Sequence, residues 1–383
     1  MRGKTLRVTI GSVIDWDIGD AREEGRRIAR LIDKGIDPRV EQKERDLEER
    51  RRDLLVSDVW DAYLAARKPV WGERHFKDHE WLVRPELSGR HAGVLLPLLK
   101  KRMRDIDAEA LVKWAQDAKE TLSPKFGSPK TNLGRATELR QGYVRARALF
   151  NWAASKPEYS GLVDPAIFKY PDLDVLIPDK RAKSDLLQVS QLEAWFREVR
   201  KLSNPVIAAY LQCLLISGAR RNEIGTLKWE NVDFVNKTLT IRDKIAEERT
   251  LPLTPYLESL ISPLKRKNQW VFSSTFKNSP TGRLVEPRIG HRRALKAAGL
   301  PSVSLHGLRR TFITHSEKIG MPVGVCDNIV GHAAKTTHER HYAWRDLDTL
   351  RIWLENYEDW FIEKGGVPFN KEEDRPAGLR AVE

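Results

Sequence analysis

Four prolines lie close together near the middle of this 383-residue chain, and they limit what that stretch can form. They are Pro157, Pro165, Pro171 and Pro178, and the charged run from Asp179 to Lys183 follows them. An interior proline removes a helical hydrogen bond and clashes with the preceding turn, so the stretch cannot be one continuous helix. Because the chain is also too long for one ordinary core, we predict separate domains joined by a linker over residues 156–183.

The part before this linker is predicted to be mainly helical. A short strand over Leu6 to Ile10 is followed by a helix from about Ile18 to Lys34, whose apolar residues recur at helical spacing. The run from Glu41 to Asp53 carries dense charge of both signs, which is typical of a solvated helix or a linker. The clearest helix spans Asn132 to Ala154, and it ends a helical domain that we place at residues 55–155.

The chain is strongly basic, with a net charge of +13 and an isoelectric point near 9.6. A basic surface attracts polyanions, and neutralisation of phosphates dominates non-specific affinity for nucleic acids. Basic residues in and just before the helix from Asn132 to Ala154 fit either a phosphate-contacting face or an ordinary solvated face. The candidate DNA contacts among them are Lys125, Lys130, Arg135, Arg140 and Arg147.

The sequence does not indicate a membrane or secreted protein. No stretch approaches the ~18 consecutive apolar residues of a membrane span, and the N-terminus lacks the apolar core of a secretory signal. Cys213 and Cys326 lie in different segments without metal-type spacing, which is typical of buried thiols in a reducing compartment. We therefore expect a cytoplasmic protein with no membrane partner.

The part after the linker is predicted to combine helices with a small sheet. A capping box from Ser190 to Glu193 opens it, and a helix is expected to begin at Asn204. Two short strands follow at about Thr238 to Ile241 and Thr250 to Leu253, and helices resume after Glu286. The fold class is therefore multidomain and mainly α with small β-sheets, the last domain being α+β. The predicted divisions are residues 1–54, 55–155, 156–183 and 184–364, with a disordered tail at 365–383.

The first candidate for chemistry lies just after Gly218, which can end the preceding helix. Arg220 then starts the next helix, and Glu223 lies three residues on, on the same helical face, where it can buttress the guanidinium. Arg221 is a rival for this role, but the residue three positions after it is Ile224. Taken alone, such a pattern is more often an ordinary helix start.

Three further patterns follow along the chain. Lys244 stands at the tip of the predicted hairpin, where a flexible cation can reach into a cleft or simply face solvent. His306 and Arg309 share one face of a helix, although a histidine there can also be structural. The last pattern is a Gly-His pair that ends at His332, ten residues before Tyr342.

A metal site is the alternative interpretation of the histidines near Tyr342. His338 and His341 are three residues apart and could join His332, but no carboxylate or cysteine completes a convincing ligand set. We therefore predict no metal. The sequence also lacks the glycine-rich nucleotide loop of ATP-binding proteins, and we expect no cofactor.

This ordered set resembles the catalytic domain of tyrosine recombinases of the phage-integrase type, over roughly residues 184–362. The matching residues, in chain order, are Arg220, Lys244, His306, Arg309, His332 and Tyr342. Ser217 departs from the usual threonine, and the gap from His332 to Tyr342 is one residue longer than in the bacterial chromosome-dimer resolving enzymes. Tyr357 is the other late tyrosine, and it fits an apolar helix stripe instead of the position of the nucleophile.

The resemblance implies a site-specific recombinase that integrates or excises a mobile element through a 3′-phosphotyrosine at Tyr342. In the scheme of this family, two arginines and the second histidine hold the phosphate, and the first histidine assists proton transfer from the tyrosine. The lysine protonates the leaving 5′-oxygen. The two arginines would be Arg220 and Arg309, and the second histidine would be His332. The first histidine would be His306, and the lysine would be Lys244.

The resemblance also implies partners, namely double-stranded DNA attachment sites, a homotetramer on that DNA, a host DNA-bending protein and a directionality factor. Residues 1–54 resemble the end of the arm-type DNA-binding domain in integrases of genomic islands and satellite phages, and residues 55–155 would be the core-binding domain. The apolar stripe from Leu347 to Phe361 packs either on its own domain or on a neighbouring protomer. Two alternatives stay open: a DNA-binding regulator that has lost catalysis, and a monomeric enzyme resembling type IB topoisomerases.

Overall fold

A computed structural model describes residues 7–12, 14–87, 91–121, 129–159, 161–162, 164–177, 179, 183–242, 248–276, 278–332 and 345–371. For residues 44, 46–52 and 129–135 this description covers the backbone only. The chain divides into two compact units, Met1–Arg181 and Ala182–Glu383, and the division falls within the stretch that we predicted as a linker. Each unit has a hydrophobic core of its own.

Two helices, α1 (Ile18–Asp33) and α2 (Pro38–Asp53), form the N-terminal part of the first unit. Asp17 caps α1 by accepting a hydrogen bond from the Asp20 N–H at 2.8 Å, and Arg27 joins the two helices through Glu41 at 2.9 Å. The predicted first helix is therefore confirmed. Residues 7–10 of the predicted first strand form no strand, because no described segment pairs with them.

The rest of the first unit is helical and packs around large aromatic side chains. Trp60 and Phe150 are fully buried in this core, and residues 168–177 also contribute to it through Phe168 and Leu173. Much of the predicted linker is therefore part of the first core, because prolines that stop a long helix readily begin short helical turns. The helices are α3 (Val56–Arg67), α4 (Glu73–Leu82), α5 (Leu96–Leu99), α6 (Ala108–Thr121), α7 (Pro129–Ala154) and α8 (Pro171–Leu176).

The second unit contains a small antiparallel sheet among its helices. The described strands are β1 (Val232–Asp233), β2 (Thr238–Arg242) and β3 (Glu248–Pro252), in the order β1-β2-β3. Leu239 pairs with Leu251 and Ile241 pairs with Arg249, so one face of the predicted hairpin points into the core.

The described helices of the second unit are α9 (Leu192–Arg200), α10 (Pro205–Ile216), α11 (Arg221–Gly225), α12 (Pro255–Ile261), α13 (Arg288–Ala297), α14 (Leu305–His315), α15 (Val323–Val330) and α16 (Leu347–Lys364). Among them, α11 packs against β2 and α16 packs against β3. Asn204 caps α10 as the sequence predicts. The predicted capping box at Ser190 forms two residues earlier, between the Gln188 N–H and Gln191 Oε1, because a 3₁₀ turn precedes α9.

Helix α16 packs on its own unit. Leu354, Tyr357 and Phe361 are fully buried, and the Tyr357 hydroxyl donates a hydrogen bond to the Phe312 carbonyl at 2.6 Å. Glu358 accepts hydrogen bonds from the backbone N–H groups of Tyr256 and Leu257, at the start of α12. The apolar stripe from Leu347 to Phe361 was predicted to pack either on its own domain or on a neighbouring protomer. In the structure it packs on its own domain.

Residues 365–371, which we predicted as part of a disordered tail, pack against the second core through Val367 and Phe369. Residues 372–383 lie outside the described part of the chain. Among the described helices, none combines the length and the hydrophobicity that crossing a membrane requires.

A buried hydrogen bond joins α9 to α13. Trp195 Nε1 donates to His291 Nε2 at 3.0 Å, and both side chains are almost inaccessible to solvent. Burial lowers the pKa of His291 to about 4, which keeps the imidazole neutral and able to accept this hydrogen bond.

We predict that His291→Gln makes the second unit less sensitive to acid, because glutamine offers an acceptor to Trp195 but does not titrate. The unfolded chain binds the histidine proton near pH 6.5, whereas the folded protein binds it only near pH 4, so acidification through this window favours unfolding. Between about pH 7 and about pH 5, wild type should lose about 2 kcal/mol more free energy of unfolding than the variant, as measured by urea denaturation.

Glu358 has the opposite effect on the pH dependence of stability. Burial raises its pKa to about 7, so acidification through this range favours the folded state. It is present in both proteins, so its contribution cancels in the comparison. An equal pH dependence of wild type and His291→Gln would show that the Trp195–His291 contact does not require a neutral imidazole.

Candidate active site

Arg220 lies at the start of α11, where the preceding chain turns sharply. Gly218 adopts a φ of +59°, and a Cβ there would lie 2.7 Å from the Phe312 ring, so only glycine fits. Arg220 Nη1 donates to Glu223 Oε1 at 2.8 Å, and its backbone N–H donates to Glu223 Oε2 at 2.7 Å. The buttress predicted from the spacing is confirmed. Arg221 instead donates to the Val285 carbonyl at 2.8 Å.

Arg309 lies in the buried part of α14, and its side chain reaches two backbone carbonyls. Nη1 donates to Gly218 O at 3.0 Å and to Val330 O at 2.6 Å. Burial, followed by the positive charge of Arg220, lowers the pKa of Arg309 to about 10. The guanidinium therefore stays charged at neutral pH. Arg220 is a neighbour, because it binds the carbonyl of Gly331, the residue that follows Val330.

His332 follows the end of α15, which Gly331 terminates with a φ of +69°. Arg220 Nη2 donates to Gly331 O at 2.9 Å, and His332 Nδ1 lies 2.7 Å from Asp327 Oδ1. An ionised carboxylate can only accept, so Nδ1 carries the proton and the ring orientation is set by Asp327. Arg220 and Arg309 both bind the end of α15, beside His332.

His306 lies in the first turn of α14, one helical turn before Arg309, and it is accessible to solvent. Partial burial lowers the pKa of His306, and the charges of Arg310 and Arg309 lower it further, with a smaller contribution from Arg220. The imidazole is therefore neutral at pH 7 and can accept a proton. Arg310 is directed elsewhere, because its Nε donates to the Asp185 carbonyl at 3.1 Å.

Several predicted site residues fall outside the described residues. Lys244 and Tyr342 are among them, as are Lys125 and the side chains of Lys130 and Arg135. Of the remaining candidate DNA contacts, Arg147 is exposed on α7, and Arg140 forms an ion pair in which its Nη1 lies 3.6 Å from Asp179 Oδ1. His338 and His341 also fall outside, and the described residues contain no cluster of His, Cys, Asp and Glu suited to a metal.

Sequence reasoning missed two residues that contact this site, Asp327 and Arg249. Arg249 Nη2 lies 2.6 Å from Glu223 Oε2, and its Nε donates to the Ile329 carbonyl at 3.1 Å. The alternation of β3 contained a signal, because Arg249 shares a strand face with the buried Leu251. An arginine on the apolar face of a strand requires a buried partner.

Comparison with known sequences extends the match to most of the chain. Residues 55–173 match the profile of the phage integrase core-binding domain, and residues 186–347 match that of the phage integrase family. The prophage integrase IntF of Escherichia coli strain K12 is 36% identical, over 97% of this chain and 83% of its own length. The integrase of Shigella phage Sf6 is 22% identical, over 94% of this chain and 88% of its own.

Solved structures share the fold. A lambda integrase dimer bound to a COC′ core site aligns with a TM-score of 0.55 and 13% identity, covering 86% of this chain and 89% of that one. A lambda integrase tetramer bound to a Holliday junction aligns with a TM-score of 0.54 and 12% identity, covering 77% and 81%.

We predict that Gly218→Ala is more destabilising than Gly320→Ala. Both glycines have a positive φ, but nothing lies within 4 Å of a Cβ at Gly320, whereas one at Gly218 meets Phe312 and Val330. Gly320→Ala should cost about 1 kcal/mol of unfolding free energy from backbone strain alone. Gly218→Ala should cost about 2 kcal/mol more from overpacking. Equal costs in urea denaturation would contradict this account of the turn.

Proposed function

This chain belongs to the phage integrase family and is a tyrosine-type site-specific recombinase that acts on DNA, and we propose that Tyr342 is its nucleophile. The tyrosine oxygen attacks a backbone phosphorus, the bond to the 5′-oxygen breaks, and a 3′-phosphotyrosine and a free 5′-hydroxyl result. The phosphoester bond is conserved in this link. Attack by a 5′-hydroxyl on it rejoins the DNA and releases the tyrosine without ATP.

The observation that carries this proposal is the meeting of Arg220, Arg309 and His332 at the end of α15. The transition state places extra negative charge on the non-bridging phosphate oxygens. Fixed guanidiniums stabilise such charge well, because they need no reorganisation when it develops. In our proposal Arg220 and Arg309 hold the phosphate, and His332 donates a further hydrogen bond to it.

Two groups handle the protons in this proposal. A phenol has a pKa of about 10, so Tyr342 must lose its proton as it attacks. His306 is neutral at pH 7, since its pKa is lowered, and it accepts that proton. Lys244, which the sequence places at the tip of the predicted hairpin, donates a proton to the departing 5′-oxygen, a role that suits the flexible ammonium of a lysine.

The proposed partners follow from the same assignment. Lambda integrase has been observed as a dimer on a core site and as a tetramer on a Holliday junction. For this chain we propose a homotetramer on double-stranded attachment sites, assisted by a host DNA-bending protein and a directionality factor, that integrates or excises a mobile element. The proposed phosphate contacts on and before α7 are Lys125, Lys130, Arg135, Arg140 and Arg147.

A trapping experiment in which the protein selects its own substrate tests the reaction. The protein is incubated with a pool of duplexes of randomised sequence, each nicked so that the 5′-hydroxyl fragment diffuses away after cleavage. Covalent complexes that survive denaturation are isolated and sequenced, and the enriched duplex becomes the substrate for the variants. If wild type yields no denaturation-resistant complex with any duplex, the proposed cleavage is wrong.

We predict that Tyr342→Phe binds the enriched duplex as wild type does but forms no covalent complex, because it lacks the attacking oxygen. Tyr357→Phe is the matched control. Its hydroxyl is buried against the Phe312 carbonyl, so removing it should leave complex formation intact. Denaturing gels read the complex and mobility shifts read the binding. Undiminished complex with Tyr342→Phe would assign the nucleophile elsewhere.

We predict that Arg220→Ala slows cleavage by about 100-fold or more, as expected for the loss of one group that stabilises transition-state charge. DNA affinity should fall by less than about tenfold, because many other phosphate contacts remain. Arg221→Ala, the adjacent arginine that faces Val285, should cleave within about threefold of wild type. Equal losses of cleavage and affinity in Arg220→Ala would make Arg220 an ordinary phosphate contact.

A further inference from the structure

Arg249 makes the second ion pair of Glu223. Its Nη1 lies 3.1 Å from Oε1 and its Nη2 lies 2.6 Å from Oε2, so the two planar groups meet edge to edge. Only 2% of the Glu223 side chain and 16% of the Arg249 side chain are exposed. Arg220 binds the same carboxylate from the other side, through its Nη1 and its backbone N–H. One buried carboxylate therefore forms ion pairs with two guanidiniums.

Arg249 also supports the end of α15. Its Nε donates to the Ile329 carbonyl at 3.1 Å. A Cβ at Gly331 would lie 2.4 Å from its Nη1, which shows that the guanidinium packs directly against the Gly331 backbone. The carbonyl of that glycine accepts from Arg220, and the next residue is His332. Arg249 thus touches both the carboxylate and the turn that hold the phosphate-facing groups.

The charge balance of this cluster depends on Arg249. Although burial raises the pKa of Glu223, the hydrogen bonds and charge of Arg249, together with those of Arg220, hold it below its usual value, so the carboxylate is ionised. With a single guanidinium, the carboxylate would neutralise Arg220 completely. With two, the trio keeps a net positive charge, and Arg220 retains attraction for a phosphate.

We infer that Arg249 is a positioning residue for DNA cleavage, which shares the charge of Glu223 with Arg220 and fixes the turn that precedes His332. The inference rests on the role proposed for Arg220. Arg249 itself touches no reacting atom. It acts through Glu223 and through the backbone at the end of α15.

Single-turnover cleavage of the enriched nicked duplex, at protein concentrations that saturate binding, tests this role. Arg249→Met should cleave about 100-fold more slowly than wild type, because a small displacement of the reacting geometry has an effect of that order. Its DNA affinity should stay within about threefold of wild type. Arg197→Met removes an arginine paired with Glu198 on the surface of α9 and should match wild type in both measurements.

The double variant Glu223→Gln/Arg249→Met separates positioning from general loosening of the fold. If Arg249 acts through Glu223, the loss of rate in the double variant should be smaller than the product of the two single losses, because both substitutions remove the same Glu223–Arg249 ion pair. If the two losses multiply, the residues act independently and the inference is wrong.

Arg249→Lys keeps the proposal testable if Arg249→Met does not fold, which circular dichroism would reveal. Lysine retains the charge but cannot bind Glu223 with two parallel hydrogen bonds, so the variant should cleave more slowly than wild type and bind DNA equally well. Cleavage at the wild-type rate by a folded Arg249→Met would overturn the inference. If Arg249→Met does not fold, cleavage at the wild-type rate by Arg249→Lys would overturn it. If Arg220→Ala cleaves slowly beside such a result, the role proposed for Arg220 stands and only the inference about Arg249 fails. If Arg220→Ala cleaves at the wild-type rate, the role proposed for Arg220 is itself wrong.

Discussion

Three consecutive carbonyls at the end of α15 accept hydrogen bonds from three arginines that lie far apart in the sequence. Ile329 O binds Arg249, Val330 O binds Arg309, and Gly331 O binds Arg220. The last carbonyls of a helix have no partner within the helix, and they form the negative end of its dipole. Such an end is a suitable anchor for cations, and here it gathers residues from β3, α14 and α11.

Gathering three guanidiniums has an energetic cost that the surrounding structure offsets. Burial lowers the pKa of Arg309, and repulsion by the neighbouring Arg220 charge lowers it further. Glu223 supplies a compensating negative charge, and the helix-end carbonyls supply hydrogen bonds in place of water. In the proposed reaction a DNA phosphate completes this compensation. A site with an excess of fixed positive charge therefore favours the transition state, in which the negative charge on the phosphate is greatest.

The segment that carries Tyr342 is bounded on both sides by residues that the structure describes. His332 lies at the end of α15, and Arg345 Nη1 lies 3.5 Å from Asn328 Oδ1 on the same helix. Beyond Arg345, α16 is held within its own unit, since Tyr357 binds Phe312 and Glu358 caps α12. One short helix thus organises both the arginines and the two flanks of the proposed nucleophile.

The sequence by itself determined the helices with clear caps and periodicity, the hairpin of β2 and β3, the Glu223 buttress and the family to which the chain belongs. These depend on local spacing, on turn residues such as Gly218, or on an ordered set of chemically required residues. The tertiary structure alone decided that Arg249 shares Glu223, which is 26 residues away, and binds Ile329, which is 80 residues away. It also decided that the proline-rich stretch joins the first core and that α16 packs on its own unit. Contacts of this kind exist only after distant segments have packed, because the buried carboxylate and the free helix-end carbonyls that select their partners are created by that packing.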